Sequence, residues 1–331
     1  MPDTTSSTRY VEFDQPMIKK AAMDAGVPAS DIIVQNGENS DQTFLSDAQA
    51  DITNGASVLL IDPEDSGTGL HVEQYAKQHG VQVIDYDRLV TGKNAPVDPY
   101  VSFDNTHIGQ LIGQGFNTCV KSWGVKNPNV IVMRGDPTDN NSALFYKGYY
   151  TDELAPKIKS GAYKLAANTA GTWTPNVAQT EFEQAYTAHK SANSALVPND
   201  ENAAPIITYL KSHGVKPHQF PVSGQDATLT GLQNVLGGYQ CGTVYKPVYS
   251  EAEAAVALAV YLRAGKTAPP SLLNGTSINP ANGAKVPSVL LPSHWITSKD
   301  IEKTVIKDKF VPAKQLCAGQ YATECKKNGI S

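Results

Sequence analysis

The chain has 331 residues, 40% of them hydrophobic and 18% charged, with a formal net charge of −5. That length exceeds one comfortable core and points to two domains. The mild acidity, without a basic block or stripe, argues against nucleic acid or an anionic membrane surface as a partner, and no apolar run is long enough to span a membrane.

The chain opens Met1-Pro-Asp-Thr-Thr-Ser-Ser and passes straight into a helical pattern carried by residues 13, 17 and 21 and closed by Gly26. A βα protein normally opens on a strand. The first strand of the first lobe, and any export signal before it, are therefore expected to be missing from this sequence. A short strand is expected at Asp31–Gln35 and a helix over Asp41–Asn54, with Leu45, Ala48 and Ile52 on one face. Ser57–Ile61 is a fully apolar strand of the kind parallel sheets require, running into Asp62-Pro63. A helix to Gly80, a strand to Asp87, a strand over Tyr100–Asn105 and a helix over Thr106–Trp123 follow.

The alternation then restarts. Strands are expected near 129–135, 163–168, 194–198, 220–224 and 241–246, with helices near 141–160, 176–190, 201–213 and 228–237. Ala252–Leu262 reads as an Ala-rich core helix ended by Gly265, and Val286–Leu291 as a last strand before a polar, Lys-rich tail. Regular strand–helix units imply right-handed crossovers and parallel sheets covered on both faces. The expected fold is α/β, two doubly wound, Rossmann-like lobes.

Cys317 and Cys325, eight apart in the polar tail, read as a local disulfide. Cys119 and Cys241 are left as buried thiols or a second bridge, and no Cys spacing suits zinc.

The functional signal lies at the strand ends. In open parallel sheets, ligands bind beyond the carboxyl ends of the strands. Here those ends deliver Asp87-Arg88, Asp139 and Asn141, Asn199-Asp200, and Asp226 within Pro221-Val-Ser-Gly-Gln-Asp226. Taken singly, Asp226 is better explained as a helix cap, Asn199-Asp200 as well explained as a cap, and Asp87-Arg88 as a surface ion pair or a turn. Together they suit a polyol, whose hydroxyls donate and accept at once. Trp173 is either a packing residue or a cover for the apolar face of a sugar ring, and Lys246 either a solvated lysine or a ligand contact. No nucleophile elbow, phosphate loop or zinc-protease motif is present, and the seven His are scattered. No cofactor, no metal and no catalytic residue is expected.

These residues resemble the type I periplasmic-type sugar-binding proteins of ABC importers, and within them the D-xylose-binding branch. The resemblance is carried by Ser7–Tyr10, Ile84–Arg88, Tyr100–Asn105, Gly135 through Asp139–Asn141, Trp173, Asn199-Asp200, Ser223–Asp226 and Thr243–Pro247. It implies two lobes joined by a three-crossing hinge that closes on a monosaccharide. Crossings are implied near Ser102–Asn105, Thr243–Lys246 and Gly275–Val286. The implied lobes are 1–103 plus 247–280 and 104–246 plus 281–331. Implied contacts are Arg9, Asp87 and Arg88 from the first lobe, with Tyr10 stacking on the sugar. Asp139, Asn141, Trp173, Asn199 and Asp226 come from the second, and Lys246 stands near a crossing.

The implied function is a non-enzymatic, extracytoplasmic, monomeric receptor that hands a monosaccharide, D-xylose first, to ABC permease subunits, secreted or lipid-anchored in its full-length form. The alternative is a sugar-sensing regulator or a chemoreceptor-linked sensor of the same fold.

Overall fold

The computed structural model describes residues 1–3 and 8–330. Its strands are β1 (Val58–Ile61), β2 (Gln82–Tyr86), β3 (Tyr100–Phe103), β4 (Asn129–Val132), β5 (Lys164–Asn168), β6 (Ser194–Leu196), β7 (Thr243–Tyr245), β8 (Gly275–Ile278), β9 (Lys285–Leu291) and β10 (His294–Ile296). The helices are α1 (Gln15–Asp24), α2 (Asp41–Thr53), α3 (Ser66–Gln78), α4 (Asn105–Ser122), α5 (Asn140–Tyr146), α6 (Ala155–Lys159), α7 (Pro175–Ala188), α8 (Asp200–Ser212), α9 (Leu229–Leu236) and α10 (Val248–Arg263). The chain forms two compact units. Unit 1 comprises Met1–Asp104, Thr138–Asn141 and Pro247–Pro292, and unit 2 Asn105–Pro137, Ser142–Lys246 and Ser293–Ser331.

Unit 1 is built on a five-stranded sheet of order β1-β2-β3-β9-β8. Four strands are parallel, and β8 pairs antiparallel with β9 at the edge. The sheet is covered on both faces, as the apolar strands require. Ile18 and Ala22 of α1 and Ala252, Ala255 and Leu258 of α10 pack with Ile84, Tyr86, Val101 and Val289. Ala48 and Ile52 of α2 and Val72 and Ala76 of α3 pack with Leu59, Ile61 and Val83. Side-chain caps start two of these helices: Ser40 accepts from Thr43 N, and Asp65 from Thr68 N.

Unit 2 holds a parallel sheet of order β5-β4-β6 and an antiparallel pair, β7 with β10. Its core joins Ile131 and Met133 to Phe182 of α7 and to Ile206 and Leu210 of α8. Both disulfides are formed, Cys119–Cys241 and Cys317–Cys325, and they resolve the question left open for Cys119 and Cys241.

Three expectations change. Asp31–Gln35 carries no ladder: a strand needs a hydrogen-bonded neighbour, and the sheet ends at β1, while Gln35 O accepts from the Met1 amine. Residues 220–224 contribute a single bridge, Ala195 with Val222, rather than a strand. Residues 281–292, expected in the second lobe, fall in unit 1 because β9 is paired on both sides, with β3 and β8. The chain therefore leaves unit 1 for the last time after Pro292.

Candidate functional site

In unit 1 the expected residues converge at the ends of β2 and β3. Asp87 has φ 59, a left-handed backbone held by its own carbonyl, which accepts from Tyr100 OH (2.7 Å), Ser102 Oγ (2.9 Å) and Asn141 Nδ2 (2.8 Å). The Asp87 carboxylate accepts from Arg9 Nη1 through Oδ1 and from Tyr10 OH through Oδ2, each at 2.9 Å. Arg9, 2% exposed, also donates from Nε and Nη2 to Asp14 and from Nη2 to Glu251 (2.8 Å). Burial alone would lower the Arg9 pKa. The fields of Asp14, Asp87 and Glu251 outweigh it and hold the guanidinium well above its ordinary value.

Arg88 is gripped differently. Its Nη1 donates to Pro63 O and Glu64, and its Nε lies 3.5 Å from Asp62 and 3.6 Å from Asp139. Its guanidinium stands 5.6 Å from the Tyr10 ring centre. Burial, partly offset by Arg88, pushes Glu64 up to about 7, and burial raises Asp62 well above the carboxylate range. Carboxyl groups thus outnumber the two guanidiniums around this cluster, and those whose pKa burial raises offer an O–H donor as well as an acceptor, a mix suited to hydroxyls that do both.

Asp139 and Asn141 were expected in the second lobe. The four-residue segment Thr138–Asn141 belongs to unit 1, because Asn141 ties to the Asp87 carbonyl and Asp139 to Arg88. Ser7, first residue of the Ser7–Tyr10 motif, lies outside the described residues.

Unit 2 assembles the rest. Asp226 pairs with Lys246 at 2.7 Å, both side chains buried. Asp226 does not cap α9: Thr228 does, accepting from Gly231 N. Asn199 does cap α8, accepting from Asn202 N at 3.1 Å, while its Nδ2 has no acceptor among the described residues. Trp173 is buried, edge-on to Phe145, with its ring laid across Gly135. A Cβ at Gly135 would fall 2.1 Å from the indole, so only glycine admits the ring there.

Sequence reasoning missed Asp14, Glu251, Asp62 and Glu64, and read Asp200 only with Asn199, as a strand-end polar pair or a helix cap. Asp14 shares the buried face of Ile18 and Ala22, and Glu251 that of Ala255 and Leu258. A carboxylate in an apolar stripe at i, i+4 spacing is the signal that would have found both. Among the described residues no group of three or more His, Cys, Asp or Glu is arranged to hold a metal ion.

A family model described as "Periplasmic binding protein domain" matches residues 1–267. The D-xylose-binding periplasmic protein of Escherichia coli K12 is 34% identical over 288 residues, covering 86% of this chain and 83% of that protein. An ABC transporter solute-binding protein from Clostridium phytofermentans with bound β-D-glucose is 27% identical, with a TM-score of 0.84, over 96% of this chain and 98% of its own. A carbohydrate transporter solute-binding protein from Chloroflexus aurantiacus, in complex with D-glucose, is 26% identical, with a TM-score of 0.82, over 95% and 96%. The relatives are solute-binding proteins, not enzymes. With the family model spanning most of its length and both units doubly wound, the chain belongs to the periplasmic binding protein domain family, of type I architecture.

Proposed function

We propose that the protein is an extracytoplasmic receptor that binds a monosaccharide, D-xylose first, and presents it to the membrane subunits of an ABC importer. The observation that carries this reading is the composition of the two clusters. Arg9, Tyr10, Asp87, Arg88, Asp139 and Asn141 gather in unit 1, while in unit 2 Asp226 pairs with Lys246, Asn199 caps α8 and Trp173 lies against Phe145 and Gly135. Charged acceptors and donors, with an indole to cover a ring face, are the groups a pyranose needs on its edges and its apolar face.

On this reading the sugar stabilises whichever conformation of the chain binds it better. Epimers are rejected because a misplaced hydroxyl leaves a buried carboxylate or amide unpaired. The E. coli relative's name supports D-xylose, and the two glucose-bound structures make D-glucose the competing ligand.

Calorimetric and tryptophan-fluorescence titration with D-xylose, D-glucose, D-ribose and L-arabinose tests it. Saturable binding of D-xylose, tighter than the other three, is expected. Tighter D-glucose binding would move the protein to the glucose side of the family, and silence toward all four would overturn the sugar reading.

A further inference from the structure

Asp200 opens α8 beside Asn199, yet its side chain is turned to a different task. It is 0% exposed, so it cannot touch a ligand. Oδ1 accepts from Gln240 Nε2 at 2.7 Å. Oδ2 accepts from Thr228 N at 3.0 Å and from Thr243 Oγ1 at 3.1 Å, and that hydroxyl in turn accepts from Ala227 N. The Asp200 amide donates to Gln225 O at 2.9 Å. One residue therefore fastens both ends of the turn that carries Asp226, and the start of β7, which runs on to Lys246.

That turn needs fastening. Asp226 (φ 93) and Ala227 (φ 52) are consecutive non-glycine residues in the left-handed region, a conformation that persists only where the surroundings enforce it. The space for the carboxylate is made by two glycines: a Cβ on Gly224 or Gly231 would stand 2.1 Å from an Asp200 oxygen. Four donors converge on the Asp200 carboxyl group, Thr228 Oγ1 at 3.4 Å being the fourth, and an amide in its place keeps one acceptor oxygen and turns N–H toward Gln240 unless that side-chain amide turns over as well.

We infer that Asp200 is a positioning residue for sugar binding. It holds the Asp226 turn and β7 in the register that joins Asp226 to Lys246, and so sets affinity without contacting the sugar. This rests on the sugar-receptor reading, and the test separates the two.

The full chain and its Asp200→Asn variant are titrated calorimetrically with D-xylose and D-glucose. In parallel, acylation of each lysine is timed by peptide mass spectrometry without sugar. The expected result is affinity weakened roughly tenfold or more, with Lys246 acylated several-fold faster and exposed Lys211 unchanged. Faster acylation of all lysines would mean general loosening and would overturn the inference, as would unchanged affinity with unchanged Lys246 labelling. If Asp200→Asn does not fold, Thr243→Val removes one hydroxyl of the same network and is expected to move both readouts the same way, less far; no movement overturns the inference. Failure of the native chain to bind either sugar would sink the receptor reading, whereas the Lys246 labelling still decides whether Asp200 holds the pair.

Discussion

Arg9 donates to Asp87 at 2.9 Å while Asp14 and Glu251 hold the rest of the same guanidinium, so one cation compensates three buried carboxylates. Removing it leaves all three without that positive charge, although Tyr10 still donates to Asp87 and Tyr86 to Asp14. Arg9→Met is expected to lower the unfolding free energy by about 3–5 kcal/mol, the range for breaking a buried ion pair from one side. Urea unfolding measures it, and adding Glu251→Gln is expected to restore part of the loss. A cost below about 1 kcal/mol would show that the carboxylates find other partners or protons.

Arg88 and Asp226 face a different test, because their proposed work is in binding. Arg88→Ala and Asp226→Ala are each expected to weaken sugar binding by about 1.5–3 kcal/mol, the value of hydrogen bonds to charged groups. Calorimetry reports it directly, and unchanged affinity in both variants would remove them from the site.

Unit 1 contains a second acidic group, Glu73 with Asp85. Burial, and then the charges of Asp85 and Asp98, push Glu73 up to about 10, and burial raises Asp85 as well. Folding therefore retains protons that the unfolded chain sheds near pH ~4. The stabilising contribution is complete below that pH and is lost as pH climbs toward about 10. Glu73→Gln keeps a donor facing Asp85 without a proton to lose. It is expected to raise the melting temperature relative to the native chain at about pH 9 and to differ little at about pH 5. An equal shift at both would place the effect in packing rather than protonation.

The two disulfides close loops of very different length, 122 residues for Cys119–Cys241 and 8 for Cys317–Cys325. Loop-closure entropy gives about 5 kcal/mol for the long one and about 2.5 for the short. The Cys119→Ser, Cys241→Ser double variant is thus expected to unfold at clearly lower urea than the Cys317→Ser, Cys325→Ser pair. The reverse order would mean that the tail bridge holds packing rather than chain entropy.

The doubly wound plan was legible because apolar strands and helix caps are local signals: Ser57–Ile61 and Val81–Tyr86 announce buried parallel strands without reference to the rest of the chain. The strand-end residues Asp87, Arg88 and Asp226 were legible for the same reason. What local pattern could not supply was pairing. Asp31–Gln35 has the β-branched composition of a strand and no neighbour to bond, and Val286–Leu291, legible as a strand, carries no local sign of which lobe it joins until β3 and β8 are placed on either side of β9. The supporting carboxylates were hidden likewise. Asp14 and Glu251 make sense only once Arg9 is brought between them, and Asp200 only once Gln240 and Thr243 arrive.

The place of β9 in the first sheet also governs how the chain is made. Tyr100 is paired in register with Ser288, so a strand produced in the first third of synthesis waits for one produced near the end. Until the ribosome has delivered the residues around 285–291, β3 lacks its inner neighbour and the first unit stays unfinished, while β4, β5 and β6 have already emerged to pair among themselves. Long-range parallel pairing of this kind is slow and leaves apolar strand surface open in the meantime. Unit 2 is therefore free to assemble its central sheet first, although unit 1 begins the sequence.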